Sequence, residues 1–209
     1  MKQIKTLATA MLLTLAATAS AQDSSQPESF NKVYVEYSPT YVKGADIDSK
    51  YTLNNLALGY SHNIKISDLP MHLEFGGKIG YQFGENKEDD YKENFNLFTV
   101  TVPTINLCFD IKLGDKVVVM PYGGYSLKIN VLGKMKRDTG TNSNKYDLFD
   151  KDEMGQQNVW EQFVNSWQAG VDVHYSKYFI GVAYSGDLQK TVDTLESFYS
   201  VCAKVGLCF

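Results

Sequence analysis

The chain closes on Tyr199-Ser200-Val201-Cys202-Ala203-Lys204-Val205-Gly206-Leu207-Cys208-Phe209, and the two interleaved rows within that stretch decide the fold. Tyr199, Val201, Ala203, Val205, Leu207 and Phe209 make one apolar row, while Ser200, Cys202, Lys204, Gly206 and Cys208 are small or polar. An extended chain points successive side chains to opposite sides, so the rows become the two faces of one strand. Chain ends fray in water, and a soluble strand that stops on an aromatic ring has little to hold it there. A strand whose outer face meets lipid does, because aromatic rings settle at the membrane interface.

At the other end, Lys2 and Lys5 precede an apolar run rich in Ala and Leu from Leu7 to Thr18. Ala19-Ser20-Ala21 follows, the small-residue pattern of a cleavage site, so residues 1–21 read as an export signal and 22–31 as a short leading segment. The run is too short for a spanning helix. No Cys lies near the cleavage point to carry a lipid anchor. The chain has 20 Lys and Arg against 24 Asp and Glu, a net charge of -4; losing Lys2 and Lys5 leaves a mature chain near -6. That balance offers no basic face for nucleic acid. A mean hydropathy of -0.26 leaves a membrane barrel open, since its strands meet lipid only at every second residue. The 14 Tyr suit strands and interfacial girdles.

Eight segments share the alternation of the last one. They run over about 32–42, 51–64, 71–83, 95–113, 116–132, 163–177, 178–186 and 199–209. The third is the clearest: Met71, Leu73, Phe75, Ile79, Tyr81 and Phe83 alternate with His72, Glu74, Gly76, Lys78, Gly80 and Gln82. Val171, Val173 and Tyr175 face outward in the sixth, and Ile180 and Val182 in the seventh. Pro103, inside the fourth, cannot donate to a ladder and predicts a bulge or a change of parity.

The connections sort by length. Lys65–Pro70, Gly114–Asp115 and Ser176–Lys177 are tight, whereas Lys43–Lys50, Gly84–Asn94, Gly133–Gln162 and Asp187–Glu196 are longer and polar. Both chain ends fall on the short-turn side. A sandwich has no reason to sort its loops in this way, whereas a membrane barrel places short turns in the periplasm and long loops outside. The expected fold is all-β: an eight-stranded antiparallel up-and-down transmembrane barrel over 32–209.

In this pattern the chain resembles the small eight-stranded outer-membrane barrels, such as the OmpA membrane domain and OmpX-like proteins. The resemblance covers about Lys32 to Phe209 and rests on alternation, loop sorting and the terminal aromatic row. It implies the outer membrane of a Gram-negative bacterium, with outer-membrane lipid around the barrel. It also implies recognition of Tyr199, Val201, Val205, Leu207 and Phe209 by the barrel assembly machinery.

An eight-stranded barrel is only wide enough for its own side chains to fill. The inward charges Glu36, Glu74, Lys78, Asp110, Lys128, Asp172 and Lys204 therefore read as a mutually paired lumen network, because unpaired charges there are costly. Glu36 and Lys204, on the two strands that must meet at closure, are expected to pair across the seam. A narrow ion path is the alternative. His62, His72 and His174 all fall at the short-turn rim and form no local catalytic signature. Cys202 and Cys208 are six residues apart on one strand, roughly 20 Å, beyond disulfide reach. Cys108 lies on another strand, and all three Cys read as small inward side chains. The acids Asp147, Asp150, Asp152 and Glu153 lack the spacing of a calcium loop. No metal or cofactor is expected. The reading is a non-enzymatic barrel with a structural or interaction role, its unidentified external partner meeting the 133–162 loop. A small pore or a lipid-modifying enzyme is the alternative.

Overall fold

The computed structural model describes residues 29–43, 50–66, 69–87, 92–195 and 197–209. The expected export signal, most of the leading segment and the middle of the 84–94 connection lie outside the described residues. The strands are β1 (Ser29–Lys43), β2 (Lys50–Lys65), β3 (Met71–Lys87), β4 (Lys92–Phe109), β5 (Ile111–Lys112), β6 (Val117–Asp138), β7 (Ser143–Asp147), β8 (Phe163–Tyr175), β9 (Tyr178–Asp187) and β10 (Tyr199–Cys208). One short helix, α1 (Lys151–Met154), follows β7. Eight long strands pair antiparallel with their neighbours, β1 with β10 and β4 with β6, and the sheet closes on itself. β5 continues β4 past Asp110, and β7 lies along the upper part of β6. Closure removes the unpaired edges that a spanning sheet cannot carry in lipid.

The start of β1 and the last residue meet at the seam. Asn31 N–H donates to the Phe209 carbonyl at 2.8 Å and Phe209 N–H to the Asn31 carbonyl at 3.0 Å. β1 begins at Ser29, three residues before the expected start, and this puts Phe30 and Lys32 inside the barrel. The short turns share one end with the start of β1 and the end of β10, and the third and last connections lie at the other.

Two interruptions set which residues face inward. At Pro103, whose bond to Val102 is cis, the β4–β6 ladder skips from Thr101 to Thr104. Inward positions are odd-numbered up to Thr101 and even-numbered from Thr104. The Pro103 expectation thus resolves as a change of parity. On β6, Val131 and Leu132 both stay exposed and the parity switches again, so that Met135 points inward. β6 then runs to Asp138, six residues beyond its expected end, held between β4 and β7. The sequence of 133–138 reads as polar loop because its neighbours on both sides come from distant parts of the chain.

The outer face is a band of exposed aliphatics, among them Leu58, Ile79, Val173, Ile180, Val182 and Val201, with aromatic rings above and below. Towards the long-loop end, tyrosine hydroxyls tie adjacent strands. Tyr37 donates to Asn54 Oδ1 and Tyr81 to Asn96 Oδ1, each at 2.6 Å, and Tyr125 donates to Asn165 Oδ1. Tyr184 stacks on Tyr199, ring centroids 6.2 Å apart. Such rings bury their bodies in hydrocarbon and keep their polar tips satisfied at the interface.

Candidate functional site

The lumen is built in layers. Nearest the short turns, Lys32 is 1% exposed, and its Nζ lies 2.8 Å from Glu74 Oε2 and 3.1 Å from Asp172 Oδ2. Lys204 Nζ completes the group, 3.0 Å from Asp172 Oδ1 and 4.3 Å from the centre of the Tyr122 ring. Gln168 Nε2 donates to Asn106 Oδ1 at 2.7 Å, and Asn106 Nδ2 donates to Glu74 Oε1 at 2.6 Å. The resulting polar chain crosses the barrel from β8 through β4, β3 and β1 and returns to β8 and β10. Its two ammonium and two carboxylate groups balance, the condition under which buried charges are tolerated.

Small residues make the crossing possible. A Cβ on Gly181 would come within 2.2 Å of Asp172 Oδ1 and 2.8 Å of Lys204 Cε. On Gly59 it would strike the Tyr34 ring at 2.2 Å.

Above this floor, Lys78 Nζ contacts Glu36 Oε1 at 2.5 Å, and Lys128 Nζ contacts Asp187 Oδ2 at 2.9 Å. Asp187 also accepts from the hydroxyls of Ser166 (2.7 Å) and Thr191 (3.0 Å). These pairs border a small hydroxyl-lined chamber of about 50 Å³, roofed by Phe198.

The charged residues read from the sequence therefore divide. Glu74, Asp172 and Lys204 form the floor, Glu36 and Lys78 make a second pair, and Lys128 makes a third with Asp187. Asp110 stands apart at the short-turn rim, 3.1 Å from His72 Nδ1. The expected Glu36–Lys204 pair is a correction. The two are opposite in register across the seam, but each side chain reaches a different partner. A lysine stem is long enough to pass its nearest acid and join a better-placed one.

Lys32, the centre of the floor, is absent from the sequence reading, which placed it at the rim as the first residue of its strand. Its parity with Glu36, four residues on, was the signal that could have found it. Tyr199, Val201, Val205 and Leu207 of the terminal row lie on the outer face of β10, and Phe209 is exposed just past its end.

At the long-loop end the connections fold inward. Leu148 and Trp160 from the third, and Val192 and Phe198 from the last, pack with Leu53, Phe95, Leu97 and Met135 of the strands into a buried apolar cluster. Trp160 and Val192 form a bridge between the two connections. This cap is a second core, and the expected polar loop at 133–162 supplies much of it. Above it, hydrogen bonds from Ser143 and then Lys136 hold the Asp138 carboxyl below the ordinary carboxylate range at the hairpin tip. Beside the cluster lies a cavity of about 290 Å³, with Glu93 and Arg137 in its wall.

The histidines sit at the opposite end. His62 Nδ1 contacts Asn31 Oδ1 at 2.9 Å, His72 faces Asp110, and His174 Nδ1 lies 3.4 Å from Cys208 Sγ while stacking on Phe179. Among the described residues no Ser or Thr hydroxyl hydrogen bonds to a histidine, and none groups three or more metal-binding side chains. All three cysteines carry free thiols.

No family model and no curated protein matches this chain in sequence. Solved structures do match. Ail, the attachment invasion locus protein of Yersinia pestis, is 13% identical, covers 88% of this chain and 100% of its own, and superposes with a TM-score of 0.53. The fold is that of a small eight-stranded outer-membrane barrel. Ail in complex with the heparin analogue sucrose octasulfate gives 14% identity over 88% of this chain and 100% of that one, with a TM-score of 0.51. Neisserial surface protein A is 16% identical over 87% of this chain and 96% of its own, with a TM-score of 0.42. Identities this low carry the fold alone.

Proposed function

We propose that this chain is a non-conducting, non-enzymatic barrel of the Gram-negative outer membrane, with a structural or surface-interaction role. Its short-turn end then faces the periplasm and its long connections face outward. One observation carries the reading: the lumen is crossed by the Lys32–Glu74–Asp172–Lys204 group and roofed by a separate apolar cap. An ion entering from the short-turn end meets these paired charges, and one entering from the other end meets the apolar cap. The non-enzymatic reading is consistent with the histidines, which sit at the short-turn end against Asn31, Asp110 and Cys208. Insertion is proposed to depend on the assembly machinery reading the aromatic row ending at Phe209. The external partner remains assigned to the 133–162 connection, whose β7 hairpin and α1 stand above the strands.

The test is conductance of purified protein in planar bilayers, together with fractionation of cells and lipid A mass spectra with and without the gene. The reading expects a silent bilayer, recovery in the outer membrane and unchanged lipid A. Stable single-channel steps would replace it with the pore, and altered acylation would replace it with the enzyme.

A further inference from the structure

A half-open pocket of about 290 Å³ lies beside the mouth cluster, walled by hydrocarbon and aromatic side chains with polar groups along one side. Its size is close to the lower bound of small-molecule sites. The part of a ligand that it encloses is accordingly a compact group, on the scale of one or two aromatic rings.

Its walls specify the ligand further. Trp160 lies edge-on to Phe198, ring centroids 5.4 Å apart, and is tilted 32° to Phe95 at 6.1 Å. Rings in this arrangement accept a further ring by offset or edge-to-face contact. Met135 and Met154 supply flexible thioethers that adjust to its outline. The polar wall is the Glu93 carboxylate, buried and held by Arg137 through Nε at 2.9 Å and Nη2 at 2.7 Å. That pair is neutral overall, and Glu153 adds a carboxylate that accepts from the Asp147 N–H at 2.6 Å. The lining therefore carries one net negative charge and opposes an anion.

We propose that this chamber binds a compact aromatic small molecule, uncharged or cationic, about the size of a substituted naphthalene. The site is assembled jointly by β2, β4, β6, the third connection and the last connection. That the ligand arrives from outside the cell rests on the functional reading above, whereas the binding itself does not.

The two Trp residues provide the test. The full barrel, 15N-labelled in phospholipid nanodiscs, gives an indole signal from Trp160 at the chamber and one from Trp167 on the lipid face. Titration with 2-naphthylmethanol and 1-naphthylmethylamine is expected to shift the Trp160 signal saturably, in the millimolar range or tighter, as a compact group allows. Naphthalene-1-sulfonate is expected to bind at least about tenfold more weakly, a difference worth roughly 1.4 kcal/mol. Met154→Trp, at the half-buried lip, and Leu195→Phe should each abolish the Trp160 response while the barrel stays folded. No saturable shift, equal movement of both indoles, equal affinity for the sulfonate, or a response that survives both filling variants would each overturn the proposal. Conductance or mislocalisation would overturn the functional reading and leave this titration unchanged.

Discussion

Replacing Lys32 with Met removes the ammonium group from between Glu74 and Asp172. Asp172 keeps Lys204 at 3.0 Å, whereas Glu74 is left with the Asn106 amide at 2.6 Å. Stranding one buried charge costs about 3–5 kcal/mol. The remaining amide offsets part of this, so Lys32→Met is expected near the lower bound, about 3 kcal/mol. Adding Glu74→Gln removes the stranded charge while keeping an oxygen for Asn106, and should recover about 2 kcal/mol as a coupling in a double-mutant cycle. Lys128→Met is the internal control. Its partner Asp187 retains two hydroxyl donors, and the lysine side chain is 15% exposed, so the loss should be about 1 kcal/mol. Urea titration of folding into lipid vesicles measures the wild type, the three single variants and the double variant. Equal losses for the two single changes, or no recovery in the double variant, would mean that water screens the floor, and the plug would lose its physical basis.

Ile180→Arg, in the middle of the outer aliphatic band, should cost roughly 2–4 kcal/mol in the same titrations, and Phe163→Arg at the long-loop edge only about 0–1; equal costs would misplace the membrane. Gly181→Ala should cost about 1–3 kcal/mol by forcing the Asp172–Lys204 pair apart, while Gly123→Ala, whose added Cβ would meet nothing closer than 3.9 Å, should stay within about 0.5. Deleting Phe209 removes two backbone hydrogen bonds and one from the Asn31 amide at the seam, and should leave refolding into detergent intact while lowering outer-membrane levels in cells, as read by fractionation and immunoblot. Normal levels would detach the terminal ring from assembly.

The barrel was legible because alternation is a local property: Met71 to Phe83 displays both of its faces without reference to any other strand. Pro103 marked the place where the ladder had to break, and left open whether as a bulge or as a change of parity. Pairing inside the lumen was less legible, since register places Glu36 opposite Lys204 but cannot say which of several acids a long side chain will reach. Lys32 was missed because a strand boundary uncertain by three residues decides whether a side chain is rim or core. The cap was not legible at all. Leu148, Trp160, Val192 and Phe198 stand in no periodic segment, and they become a core only when two connections far apart in sequence converge over the same mouth.

The tyrosine contacts on the outer face follow a rule of connectivity. Tyr37–Asn54, Tyr81–Asn96, Tyr125–Asn165 and Tyr184–Tyr199 each join the two strands on either side of one long connection. Every hairpin is thus clasped at its own neck, below the point where its loop departs. Loop-closure cost rises only slowly with length, and a clasped neck keeps that cost from reaching the strands beneath. The strands below each neck can therefore keep their register when the connection above is altered, although the third and last connections, bridged at Trp160 and Val192 over the mouth, must change together.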